Sequence, residues 1–190
     1  MIKKLLLGAI GLIVAIVIIF CVVVAMQPSH FTITRSASFN APPEAVFAEV
    51  NDFSKWQSWS PWERLDPNMK KTVSTPSSGK GASYAWVGNS EAGEGKMVIA
   101  DSKPTEAIKI DLEFIKPFAM KSVTDFTFKP DGDKTIMTWT MSGENNFLSK
   151  AFGLVVNMDK LVGADFENGM ANLKPIVESA PKPALPPMVN

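Results

Sequence analysis

Two hydrophobic patterns divide the chain. Residues Leu5 to Met26 read LLLGAIGLIVAIVIIFCVVVAM, apolar throughout and without a charge. A helix needs about 20 such residues to cross the hydrocarbon core of a bilayer. Beyond this run the period drops to two. Phe31 to Phe39, FTITRSASF, alternates apolar and hydroxyl positions for much of its length, as a strand with one buried face does. The cleanest alternation is Ala107 to Lys116, where Ile108, Ile110, Leu112 and Phe114 interleave with Lys109, Asp111 and Glu113.

Between these strands, Asn40-Ala41-Pro42-Pro43-Glu44 offers a helix start, with proline in the first turn and an acid at the positive end of the helix dipole. Ala45, Val46, Phe47 and Val50 form its apolar face, and Phe53 to Trp62 predicts a second short helix or turn. Further strands are predicted near Lys70 to Thr75, Ala82 to Gly88, Gly95 to Ser102, Lys121 to Lys129 and Thr135 to Ser142. Pro130-Asp131-Gly132-Asp133 reads as the hairpin turn between the last two. After Gly143 the period becomes helical, with Val162, Phe166, Met170, Leu173 and Val177 on one face of a helix running from about Lys150 to Glu178. The tail from Pro181, PKPALPPMVN, predicts no fixed fold. The order predicts an α+β domain in which one long helix covers the apolar face of an antiparallel sheet.

Three segments follow: an anchor at residues 1–28, a folded domain at 29–180 and a proline-rich tail at 181–190. Lys3 and Lys4 precede the apolar run and the next charge is Arg35, so the positive-inside rule predicts a cytoplasmic N-terminus with the domain across the membrane. A cleaved signal peptide is the competing reading, with Val23-Val24-Ala25 as its cleavage site, but the run exceeds the usual signal core. The expected location is a bacterial inner membrane with a periplasmic domain.

Charge adds an exclusion. With 19 basic and 19 acidic residues the formal net charge is zero, and nothing in the pattern points to nucleic acid. The single cysteine, Cys21, lies inside the apolar run, so the domain has no disulfide, thiolate ligand or thiol nucleophile. His30 is the only histidine and adjoins the anchor, which argues against a transition-metal site or a catalytic triad. Asp131 and Asp133 are too few to make a calcium loop. Gly93-Glu94-Gly95 lies between strands rather than before a helix, so no phosphate loop and no cofactor are expected.

Four segments resemble a known family. Ala41-Pro42-Pro43-Glu44-Ala45-Val46-Phe47 resembles its first short helix, and Trp56-Gln57-Ser58-Trp59-Ser60-Pro61-Trp62 its tryptophan-rich segment. Gly79 to Trp86 with Gly93-Glu94-Gly95 resembles its glycine-rich hairpin, and Gly163 to Lys174 its C-terminal helix. The chain is similar, over about Phe31 to Glu178, to the START-like helix-grip (SRPBCC) superfamily, in its polyketide cyclase/dehydrase-type branch. The resemblance implies a helix-grip fold, a curved antiparallel sheet around a long C-terminal helix, and an apolar cavity between them that binds lipids or other hydrophobic molecules in many members. It implies no single reaction.

The candidate ligand-binding residues are Trp86, Phe114, Phe126, Trp139, Phe166 and Met170, which line either a cavity or a packed core. Trp56, Trp59 and Trp62 are expected at the cavity mouth, at the lipid headgroups, or in a satellite cluster. The expected function is a membrane-anchored binding module for a lipid or other small hydrophobic ligand. The alternatives are a cyclase- or hydrolase-like enzyme dependent on Asp165 or Tyr84, and a filled-core domain that binds an envelope protein.

Overall fold

The computed structural model describes residues 2–179; the tail expected to lack a fixed fold, 181–190, lies outside them. The chain divides into two compact units. The smaller comprises the N-terminal helix, the first residues of the first strand and residues 144–158; the larger holds the rest of the sheet and the C-terminal helix.

In the small unit, helix α1 spans Ile2–Ala25. Its segment Leu6–Ala25 has a mean hydropathy of 3.3 and is, among the described residues, the one helix long and apolar enough to cross a membrane. Signal sequences share that property. Helix α3, Phe147–Gly153, rests against α1. Asn146 caps it, its Oδ1 accepting from the Ser149 amide at 2.8 Å.

The larger unit follows the predicted order. Strand β1 covers His30–Phe39 and helix α2 Pro43–Val50, with Val46, Phe47 and Val50 buried. Two 3-10 turns come next, Phe53–Ser58 and Pro61–Arg64. The first is capped by Asp52, whose carboxylate accepts from the Ser54 amide. Strands β2 (Lys70–Val73), β3 (Ser83–Val87), β4 (Glu94–Lys103), β5 (Ala107–Lys116), β6 (Met120–Asp131) and β7 (Lys134–Glu144) form successive antiparallel hairpins. With β1 beside β7, the seven-stranded order is β1-β7-β6-β5-β4-β3-β2. A register shift between Ile99 and Asp101 puts a bulge in β4, the device that bends a sheet locally. The β6–β7 turn is tight: Asp131 pairs with Lys134 across Gly132, whose φ of 62° an L-residue adopts at a cost.

Helix α4, Met158–Glu178, covers the concave face. Gly163, Phe166, Met170, Leu173 and Val177 are its buried stripe, at alternating steps of three and four. The single helix expected from Lys150 to Glu178 is instead two, α3 and α4, separated at residues 154–157. Gly153 closes the first, and the apolar run Leu154-Val155-Val156 continues the hydrophobicity without continuing the helix. At Gly169, α4 approaches closely: an added Cβ would stand 3.1 Å from the Trp139 ring and 3.2 Å from Pro61.

One ion cluster ties α4 to the sheet edge. Arg35 falls on the inward, apolar side of β1, in line with Ile33 and Phe39. Its guanidinium donates to both carboxylate oxygens of Asp159 at 3.1 Å, to the Asp159 carbonyl at 2.9 Å and, through Nε, to Glu167 at 2.8 Å. The space it occupies exists because Gly163 has no side chain; a Cβ there would meet the guanidinium. These charge-assisted bonds raise the Arg35 pKa, the Asp159 bond more than the Glu167 one, and the Arg35 bond lowers that of Asp159.

Candidate functional site on the concave sheet face

Alternation carries one side chain in two from each strand to the face beneath α4. The middle of that face is closed by stacked rings. Trp139 on β7 lies parallel to Phe166 on α4, with centroids 4.2 Å apart and planes at 6°. Phe126 on β6, directly across from Trp139 in the register, meets it at 4.8 Å. Phe126, Trp139, Phe166 and Met170 are 0–2% exposed.

The tryptophan-rich segment belongs to this core. Trp56 touches Trp59 at 4.9 Å and Phe126 at 6.3 Å, while Trp59 and Trp62 meet Trp139 at 5.9 and 5.6 Å. Trp56 and Trp59 are buried and Trp62 half-buried: of the three placements expected for them, packing is the one found, with the rings on the central stack rather than in a satellite cluster. The Asn172 amide on α4 donates to the Trp59 carbonyl at 3.1 Å. The signal for this was a spacing of three, since residues three apart share one side of a 3-10 turn.

Toward β3 and β4 the face opens. Cross-strand register places Trp86 opposite Gly95, Gly95 opposite Phe114, Met97 opposite Leu112, and Leu112 opposite Ser122. Met97, Leu112 and Phe114 keep partial solvent access, whereas Ile99, Ile108 and Ile110 further along the same face are fully closed. Trp86 forms one wall. Its indole lies over Gly95, its Nε1–H donates to the Ala92 carbonyl at 3.0 Å, and its ring meets Phe114 edge-on at 6.0 Å. Ser122 supplies a polar point: its hydroxyl is buried and has no hydrogen-bond partner among the described residues. Such a group is costly to leave unpaired. The indole N–H groups of Trp59 and Trp139 share that state.

The expected ligand-binding set therefore falls in two places. Trp86 and Phe114 border the open part; Phe126, Trp139, Phe166 and Met170 form the closed floor. A run of rings through Trp56, Phe53 and Tyr84 connects them. Met97, Leu112 and Ser122 went unnoticed in the sequence, although Leu112 stood in the clearest alternating strand.

The two residues considered for catalysis are engaged elsewhere. Asp165 on α4 is half-buried, and its pKa is raised because burial outweighs the hydrogen bond from Trp62. The Tyr84 hydroxyl donates to Glu63 at 2.5 Å, and Lys71 donates to the other Glu63 oxygen at 2.5 Å. Burial first, then the Glu63 bond, pushes the Tyr84 pKa far above its ordinary value, which makes it a poor proton donor or nucleophile.

The family profile described as polyketide cyclase / dehydrase and lipid transport matches residues 30–178, most of the chain. The chain belongs to this family. It is thereby a member of the START-like helix-grip superfamily, as the four sequence segments implied. Several solved structures share the fold of this family member. Protein CV1439 from Chromobacterium violaceum is 15% identical, with a TM-score of 0.58, and the match covers 78% of this chain and 98% of that one. Mll3558 from Rhizobium loti is 19% identical at a TM-score of 0.57, covering 76% and 97%. The Aha1 dimer from Colwellia psychrerythraea is 12% identical at 0.55, covering 78% and 97%. At such identities the likeness concerns the fold alone. No curated protein matches the chain.

Proposed function

We propose that this family member is a membrane-anchored binding module for a lipid or other small hydrophobic molecule. Helix α1 anchors it in a bacterial inner membrane with the N-terminus cytoplasmic and the domain periplasmic, in line with Lys3 and Lys4 ahead of the span. The ligand lies on the concave face, its apolar part against Trp86, Met97, Leu112 and Phe114. Phe126, Trp139, Phe166 and Met170 form the packed floor behind it. The Ser122 hydroxyl meets the ligand's polar end. The observation that carries this reading is the partial access of Met97, Leu112 and Phe114 on an inward, apolar face where neighbouring Ile99, Ile108 and Ile110 are closed. The tether concentrates the domain at the surface that holds its ligand.

Filling that space is the direct test. The Leu112→Trp variant is expected to bind the fluorescent probe 1-N-phenylnaphthylamine about tenfold more weakly or worse. Lys109→Trp, on the outer face of the same strand, leaves binding unchanged. Equal binding by Leu112→Trp and the parent protein would place the ligand elsewhere. The close packing of the ring stack favours a second reading, a filled-core domain that docks another envelope protein; absence of probe binding by the parent protein would support it.

A further inference from the structure

The segment between β7 and α4 has a composition foreign to a soluble surface. From Asn145 to Met158, NNFLSKAFGLVVNM, the only charge is Lys150. Phe147, Leu148 and Phe152 are each at least half exposed, and Val155 is 81% exposed. They fall on one side of the chain: 147, 151 and 155 are four apart, as are 148 and 152. Soluble proteins seldom expose so contiguous an apolar patch without a use for it.

The hydrogen bonds of the small unit say where this patch lies. The Asn145 amide donates to the Ser29 carbonyl at 2.8 Å, and the Asn145 side chain to the Pro28 carbonyl at 3.2 Å. Lys150 Nζ donates to Ser29 Oγ at 3.1 Å. Pro28 and Ser29 directly follow the end of α1 at Ala25, and α3 itself rests against α1. The exposed rings are thus held beside the point where the apolar helix ends, with Lys150 turned to the chain rather than into the patch.

We propose that residues 147–158 form a second membrane contact, lying in the bilayer plane at the boundary between headgroups and acyl chains. Its occupant is the lipid surface into which α1 inserts, so the inference rests on α1 being a membrane span. An in-plane amphipathic segment buries its apolar side to that depth, and a neighbouring transmembrane helix supplies the proximity. Two points of attachment fix the orientation of the small unit relative to the membrane, which one span alone leaves free to swivel. Because α4 begins at Met158, the segment also joins the bilayer surface covalently to the helix that covers the ligand face.

Fluorescence quenching in vesicles tests this on the full chain. In a Cys21→Ala background, Val155→Cys, Phe152→Cys and Ile16→Cys would each carry an NBD label, in vesicles of phosphatidylethanolamine and phosphatidylglycerol containing lipids spin-labelled near the top of the acyl chain. Labels at 152 and 155 are expected to shift to the blue and lose most of their emission. If they keep aqueous emission while the label at 16 is buried, the interfacial contact is wrong and the anchor stands. If the label at 16 also stays aqueous, α1 does not span the bilayer, and the inference falls with that reading.

Discussion

Replacing Trp139 by alanine is expected to lower the stability of the domain by about 3–5 kcal/mol, the range for truncating a large buried aromatic. Trp139 is the hub of the interior. It stacks on Phe166 of α4, meets Phe126 on β6, and receives the edges of Trp59 and Trp62. It also stands beneath Gly169, a close approach of α4 to the sheet. Truncation leaves a hole between rigid rings and a helix held elsewhere by the Arg35 cluster, so collapse to refill it is limited. For a domain of this size the loss corresponds to a fall in Tm of roughly 6–20 °C. Thermal and urea unfolding of the domain would measure it. A loss below about 1 kcal/mol would mean that the stack is not the mechanical centre of the fold.

The second large effect is expected at Gly95. A Cβ there would collide with the six-membered ring of Trp86 and with the Glu113 carbonyl oxygen. The ring is held by its bond to the Ala92 carbonyl, and the carbonyl belongs to the β4–β5 ladder. Neither gives way freely, so Gly95→Val is expected to cost about 1–3 kcal/mol, as overpacking does, and to swing Trp86 away from Phe114 on the concave face. The two readouts are the urea midpoint and the tryptophan emission maximum. An unchanged midpoint together with unchanged emission would show that the Trp86 placement over Gly95 is not required.

These two sites differ in how far the sequence announced them. The strands were readable because half-burial imposes period two, and β5 showed it with almost no exception. The turn at Gly132 was readable because positive φ selects glycine. The break between α3 and α4 was not, because Leu154, Val155 and Val156 continue an apolar run that a helix and an exposed irregular segment carry equally well. The tryptophans were left among three placements because a short irregular stretch has no long period to read, although their spacing of three suited the turn that formed. The Arg35 cluster was legible in retrospect. An arginine on the apolar side of a strand needs a partner, and Asp159, Gly163 and Glu167, four apart on α4, provide two acids flanking a gap. What periodicity could not settle is which inward side chains pack and which stay accessible, since Leu112 and Ile110 look alike in sequence and differ only in what covers them.

The central claim is that the concave face holds a hydrophobic molecule. The match to solved structures of this fold covers 98% of one chain and 97% of another. Native mass spectrometry of residues 29–179, purified without detergent, is the most direct measurement. The account predicts a reproducible excess mass that releases a lipid or apolar metabolite on activation, and that Leu112→Trp loses. A bare mass that takes up neither fatty acid nor phospholipid when these are added would contradict it.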